Sequence, residues 1–267
     1  MTSSPCITGA THLYAVLGDP VTQVRSPALM NQLFARLGID AVLVPVHARP
    51  EHLARIVGGL RCVGNVDGIF VTVPHKAAVV ALADRCSPTV EITGSANALR
   101  REPDGCWYAE NFDGTGFVAG LVRAGLDPKG RRVALVGAGG AGSAIAAALL
   151  AAGADRLAVC DPDTARLAGL GARLDRHWPG RVSTSDRPRL DDADLAVNAT
   201  PLGLAPDDPL PFRPDLLPAG CVVADIVMVP RETRLLRQAA ARGHRVHHGT
   251  HMLDGQIELY RAFFHLG

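Results

Sequence analysis

Short apolar runs alternate with amphipathic stretches along this 267-residue chain. LYAVLG (13–18), AVLVPV (41–46) and GIFVTV (68–73) are aliphatic, β-branched runs, the pattern of strands buried on both faces. SPALMNQLFARLG (26–38) has helical spacing. Ser26 is placed to cap it, Pro27 suits the first turn and Gly38 the stop. PEHLARIVGGL (50–60) and HKAAVVALADRC (75–86) predict two more helices. The second half repeats the alternation. RRVALVGAG opens it as a strand, followed by a helix to Ala152, the strand RLAVCD and a helix from Thr164 to about Arg173. DLAVNAT, GCVVADIV and RVHHG predict later strands, RETRLLRQAAARG a helix ending at Gly243, and MLDGQIELYRAFF a last helix. Strand–helix alternation on this scale predicts an α/β protein with mostly parallel sheets. A turn-rich segment at 113–116 marks the expected boundary between an N-terminal α/β domain and a doubly wound, Rossmann-type domain.

Composition narrows the partners. Apolar residues make up 48% and charged residues 20%, with a formal net charge of +1. That balance points to neither nucleic acid nor an anionic membrane as partner. The expected partner is a small-molecule substrate, and the expected state a monomer or homodimer. None of the six cysteines stands in a C-x-x-C pair, so a zinc ribbon or thioredoxin motif is not expected. MTSSPCITGATHLY lacks a basic segment followed by an apolar core, so no signal peptide is expected and a cytoplasmic location follows. The most apolar stretch, 133–154, is interrupted by glycines and suits a strand–turn–helix better than a membrane span.

That stretch carries the most specific chemistry. Gly137, Gly139 and Gly142 match G-x-G-x-x-G, with Gly140 and Ala141 between them. Gly137 allows the tight turn out of the strand, Gly139 a close backbone approach to a pyrophosphate, and Gly142 close helix–strand packing. The helix that follows presents free N–H groups to phosphate. The next strand ends at Asp161, nineteen residues beyond Gly142, where a carboxylate meets the adenosine ribose. A carboxylate there accepts from both ribose hydroxyls and repels a 2′-phosphate, which predicts NAD as cofactor. The competing role for Asp161 is to cap the following helix.

In the first half, Val71-Thr72-Val73-Pro74-His75-Lys76 puts a lysine in the first turn of an expected helix, against the helix dipole. A lysine held out of bulk water can exchange a proton with a substrate hydroxyl, and a solvated surface lysine is the plain alternative. Further polar blocks stand at Ser95-Ala-Asn97-Ala98, Asn111-Phe112-Asp113-Gly114, Asn198-Ala-Thr200-Pro201-Leu202-Gly203, Asp225-Ile-Val and 249–256.

In this order, from Gly18-Asp19-Pro20 to the C-terminal helix, these blocks resemble the shikimate dehydrogenase family. The resemblance implies interconversion of shikimate and 3-dehydroshikimate by hydride transfer to or from a nicotinamide. Lys76 and Asp113 match the family's catalytic pair, the lysine exchanging the proton and the aspartate holding it and an adjacent hydroxyl. Thr72, Asn97 and Gln256 match residues that bind the ring hydroxyls, and Ser26 one of two serines that hold the carboxylate. Asn198, Thr200 and Gly249 would lie near the nicotinamide. The implied organisation is a substrate-binding domain of 1–112 with 250–267, and a dinucleotide-binding domain of 113–249.

Three departures bear on the substrate. The family's S-x-S-P is Val24-Arg25-Ser26-Pro27 here, its N-T-D-G is Asn111-Phe112-Asp113-Gly114, and its D-x-V-Y is Asp225-Ile226-Val227-Met228. The serine hydroxyl at Val24 and the tyrosine hydroxyl at Met228, which would face a carboxylate, are missing, and each such bond is worth roughly 1.5–3 kcal/mol; Phe112 puts a large ring where a threonine sits. Quinate or aminoshikimate therefore stands as the alternative substrate. A non-catalytic NAD-binding regulatory protein is the reading from another class, and retention of Lys76, Asp113 and Gln256 argues against it. No metal is expected. His247, His248 and His251 lack the carboxylate–histidine pattern of a zinc site, the basic run 231–245 reads as a solvated helix face, and Trp107 and Tyr108 read as strand packing.

Overall fold

Contacts divide the chain into two units, residues up to Phe112 with Ile257–Gly267, and Asp113–Gln256. The computed structural model describes residues 7–267, so Cys6 and the start of the stretch weighed as a signal peptide lie outside the described residues. The division falls between Gln256 and Ile257, where the sequence placed it at 249/250.

The first unit holds β1 (His12–Gly18), α1 (Ser26–Leu37), β2 (Ala41–His47), α2 (Leu53–Cys62), β3 (Val66–Val71), β4 (Arg85–Cys86), α3 (Pro88–Thr93), β5 (Ala98–Arg101) and β6 (Trp107–Glu110). Its sheet has the order β2-β1-β3-β5-β6-β4. β1 pairs in parallel with β2 and β3, whereas β5 runs antiparallel to β3 and β6. Period-two alternation gives each face its own core. Leu17, Ile69, Val71 and Leu99 face Leu53 and Val57 of α2, with Trp107 fully buried among them. Tyr14, Val16 and Phe70 face Met30, Leu33 and Phe34 of α1 together with Tyr260, Phe263 and Phe264. Trp107 and Tyr108 lie in β6, so the expectation of strand packing holds for both.

Two expectations fail in this unit. The stretch 75–86 is not a helix. A turn through Lys76 leads into a 3-10 turn, Ala78–Leu82, and then into β4. Pairing wins over local propensity, because Asp84 N–H reaches Trp107 O and β4 joins the sheet edge beside β6. The argument from a helix dipole at Lys76 therefore falls. Ser26 is not a cap either. Arg25 occupies the N-cap position without a side-chain bond, and Ser26 is the first helical residue. Gly38 does end α1, at φ +69°.

The second unit holds α4 (Asp113–Arg123), β7 (Arg132–Val136), α5 (Gly140–Ala151), β8 (Arg156–Cys160), α6 (Thr164–His177), β9 (Val182–Ser185), β10 (Leu195–Asn198), β11 (Val222–Asp225), α7 (Arg234–Ala241) and β12 (Val246–His247). The last helix, α8 (Thr250–Phe263), starts in this unit and ends in the first. Every pairing in the order β12-β11-β10-β7-β8-β9 is parallel, a doubly wound sheet whose switch point lies between β7 and β10. Residues 113–116 are not a turn-rich linker but the first turn of α4. Their glycines serve helix packing. A Cβ on Gly114 would stand 2.1 Å from Ala144 O of α5, and one on Gly116 2.7 Å from Met252 O of α8. α6 runs four residues beyond its expected end, to His177, with Leu167, Leu170 and Leu174 on its buried face. Among the described residues no helix is long and apolar enough to cross a membrane.

Candidate active site

In the first unit, backbone bonds gather three of the expected site residues, Thr72, Lys76 and Asn97. β3 ends beside β5, where Val71 N–H donates to Asn97 O. Lys76 O accepts Ala96 N–H at 2.8 Å, so the lysine's turn is tied to the S-A-N-A segment. His75 is fully buried, and its Nε2 lies 2.6 Å from Ala48 O. A carbonyl only accepts, so Nε2 carries the proton and the ring is pinned in one tautomer. Thr72 and Lys76 are half-buried and Asn97 is buried. Asn97 Oδ1 accepts Phe112 N–H at 3.0 Å, and Asn111 Nδ2 donates to Ser95 Oγ at 2.9 Å, which clamps the two polar blocks together. Ser26 sits half-buried in the first turn of α1, and the loop before it joins the same region through Asp19 N–H to Val73 O.

The departures find a place here too. The Phe112 ring packs edge-on against Tyr260 and Phe263, at 5.2 and 5.3 Å between centroids. Val24 packs against the same cluster. Both side chains serve the aromatic core of this unit.

In the second unit, Asp113 opens α4, where a carboxylate suits the helix N-terminus. It is buried, and its Oδ1 accepts from Gln256 Nε2 at 3.0 Å. The expected catalytic carboxylate and the expected substrate amide therefore touch.

The glycine turn has the geometry that a dinucleotide requires. Gly137 stands at φ +108°, and a Cβ there would meet Ala199 O at 2.8 Å. A Cβ on Gly142 would lie 1.9 Å from Gly137 O. Gly139 is different, because a Cβ there meets nothing within 4 Å. Its backbone is bare toward open space, next to the N-terminus of α5 where Gly140 and Ala141 lie half-exposed. Such a cradle fits a pyrophosphate.

Asp161 is tied to this turn. It is buried, and its Oδ2 accepts Ala138 N–H at 2.7 Å while Oδ1 accepts Asp163 N–H at 2.9 Å. The cap of α6 is Asp163, whose side chain accepts Arg166 N–H. The competing role for Asp161 thus belongs to another residue. Arg166 Nη1 approaches Asp161 Oδ1 at 3.5 Å, and its Nη2 pairs with Asp163 at 3.1 Å.

Asn198, Thr200 and Gly249 stand at the carboxyl ends of β10 and β12, linked by a carboxylate that the motif reading left without a role, Asp225. Its signal was its place, since β8, β10 and β11 each lead into a polar residue at the same end of the sheet.

Among the described residues no group of three or more His, Cys, Asp or Glu side chains is arranged to hold a metal ion. His247 is buried, edge-on to Phe117 and stacked on His251 at 4.9 Å, and its Nε2 has no hydrogen-bond partner among the described residues. Burial, and then the charges of His251, His248 and Arg245, push its pKa down to about 4. The unfolded value is about 6.5, so folding favours the neutral ring. That stabilisation is present in full above pH 6.5 and is lost as pH falls toward 4. Urea unfolding of His247→Phe should therefore lose roughly 3 kcal/mol less than the parent between pH 7 and pH 4. Parallel losses in both proteins would rule out a suppressed His247.

The chain is similar to known proteins over nearly its whole length. The shikimate dehydrogenase substrate binding domain family matches residues 16–99. Shikimate dehydrogenase (NADP(+)) of Rubrobacter xylanophilus is 41% identical, covering 98% of this chain and 93% of the relative. The structure of shikimate dehydrogenase from Aquifex aeolicus superposes with a TM-score of 0.86 at 30% identity, covering 96% of this chain and 94% of that one. Quinate dehydrogenase from Corynebacterium glutamicum, solved in complex with NAD, gives a TM-score of 0.84 at 29% identity, with the same coverage.

Proposed function

This chain belongs to the shikimate dehydrogenase family of oxidoreductases, and we propose that it interconverts shikimate, or a close cyclic polyol acid, with the matching 3-dehydro ketone, using NAD. The observation that carries the cofactor half is Asp161, a buried carboxylate at the end of β8 that grips the glycine turn instead of capping α6. NAD would be held by Gly137, Gly139, Gly140, Ala141 and Gly142 at its pyrophosphate and by Asp161 at its adenosine ribose. Thr200 and Gly249 line the nicotinamide end. Bound NAD supplies the hydride acceptor.

The chain's own residues supply the rest. Lys76 takes the hydroxyl proton at Nζ during oxidation and returns it during reduction. Asp113 accepts a hydrogen bond from a neighbouring substrate hydroxyl, and its bond to Gln256 keeps the carboxylate oriented. Thr72, Asn97 and Gln256 bind the ring hydroxyls, and Ser26 the carboxylate. In this reading 1–112 with 250–267 binds the substrate and 113–249 the dinucleotide.

A second substrate, quinate or aminoshikimate, is favoured by Val24 and Met228, which offer no hydroxyl where the family has a serine and a tyrosine, and by Phe112, whose ring joins the aromatic cluster. Steady-state oxidation of shikimate, quinate and aminoshikimate, with NAD and NADP in parallel, tests both readings. NAD reduction with at least one of the three is expected. No turnover with any of them would overturn the proposal, and turnover with NADP alone would overturn its cofactor half.

A further inference from the structure

At the carboxyl ends of β10 and β11 a buried polar chain joins the segments expected around the nicotinamide. Asp225, the last residue of β11, has no exposed surface. No lysine or arginine pairs with it among the described residues. Its Oδ1 accepts from Val227 N–H at 3.0 Å and Asn198 Nδ2 at 2.9 Å, and its Oδ2 accepts from Thr233 Oγ1 at 2.8 Å. Burial raises its pKa above the ordinary carboxylate value, and these three bonds pull the other way. A buried carboxylate without a cation is costly, and its three donors are all it has to offset that cost.

Asn198 extends the chain. Its Oδ1 accepts from Thr200 N–H and Oγ1–H at 3.0 and 2.7 Å. Its Nδ2 donates to Leu202 O at 3.0 Å as well as to Asp225. A carboxamide has two donor hydrogens and two lone pairs, so this one is fully committed inside the protein. Thr200 Oγ1 in turn accepts Leu202 N–H at 3.1 Å. On the other side, Val227 leads to Gly249. A Cβ on Gly249 would lie 2.5 Å from Ile226 O and 2.6 Å from Val227 O, so the 226–227 backbone rests directly on that glycine.

We propose that Asp225 is a positioning residue for the nicotinamide end of the cofactor site, setting the backbone at Thr200 and Leu202 through Asn198, and the backbone at Gly249 through Val227. Asn198 belongs to this relay and does not contact the cofactor with its side chain. The inference rests on the dinucleotide reading above. It separates the two ends of the cofactor, because in that reading the adenosine end lies with Gly139 and Asp161, just beyond β7 and β8.

ADP-ribose lacks the nicotinamide and so reports the adenosine end alone. In Asp225→Ala, calorimetric titration should find ADP-ribose affinity within about twofold of the parent and NAD weakened about tenfold. Turnover should fall roughly hundredfold, as for a misplaced reacting group. Asp225→Asn keeps an acceptor for both Val227 and Asn198, and should restore most of both losses. If Asp225→Ala does not fold, Asn198→Ala cuts the same relay while Asp225 keeps Val227 and Thr233, and it should show the same split. A folded variant with parental NAD affinity and turnover would overturn the proposal. So would equal loss of ADP-ribose and NAD, the mark of general support for the unit. A parent protein that binds neither ligand would instead refute the dinucleotide reading itself.

Discussion

Lys76→Ala is expected to lower turnover by roughly 10²–10⁴-fold while NAD affinity stays within about twofold. The turn that carries Lys76 is fixed from both sides, by Ala96 N–H on the lysine's own carbonyl and by the buried His75 ring on Ala48 O. Removing the side chain beyond Cβ leaves those bonds in place, so the loss reports the missing amine and not a collapsed loop. Lys76→Arg sharpens the test. A guanidinium keeps the charge but stays protonated at any working pH, so it cannot take a hydroxyl proton. It should be nearly as defective as Lys76→Ala. If charge alone mattered, for instance by attracting an anionic substrate, Lys76→Arg would keep most of the activity and the Ala variant would fail chiefly through KM. Near-parental turnover in both would make Lys76 a surface residue.

Much of the second unit was legible because its strands are continuous apolar runs punctuated by glycine. β7, β8, β10, β11 and β12 stand where RRVALVGAG, RLAVCD, DLAVNAT, GCVVADIV and RVHHG predict them. What escaped the pattern has physical causes. α4 reads as turn because Gly114, Gly116 and Gly120 depress its helical signal, yet each is where α5 or α8 comes closer than a Cβ allows. The β5–β6 hairpin hides in short, partly charged segments whose strand character comes from pairing with each other and with β3. The 75–86 stretch looks helical by periodicity but yields to a place at the sheet edge. In the candidate site, motif order singles out Asp113 and Gln256 but not that they bond to each other, which depends on how α4 meets α8. Asp225 stands out in the sequence only as the start of a family block, with no role, because a single carboxylate at a strand end does not reveal its partners. Its role appears only when Asn198, Val227 and Thr233 are seen to converge on it. Ser26 and Asp163 show the smaller limit of cap assignment, since in each case the neighbouring geometry decides which residue takes the helix end.

Asp161→Ala should weaken NAD by about ten- to hundredfold and NADP much less, so that the preference between them falls at least tenfold. The magnitude follows from losing charge-assisted hydrogen bonds to the ribose hydroxyls, each worth roughly 1.5–3 kcal/mol. The structure makes the ratio a clean reporter. Ala138 N–H loses its acceptor in the variant, and this disturbs the glycine turn for either cofactor alike, so it cancels in the ratio. α6 keeps its cap, because Asp163 supplies it. Arg166 keeps its closer partner, Asp163, but loses the carboxylate at 3.5 Å. Its guanidinium then faces less negative charge and more readily accepts a 2′-phosphate, while the like-charge repulsion that Asp161 imposes on that phosphate is gone. Both changes favour NADP, the cofactor in the name of the Rubrobacter xylanophilus relative, and neither favours NAD. Titration of the parent and the variant with the two cofactors reads the ratio directly. An unchanged ratio would mean that Asp161 only braces the glycine turn, and the assignment of NAD would lose its support.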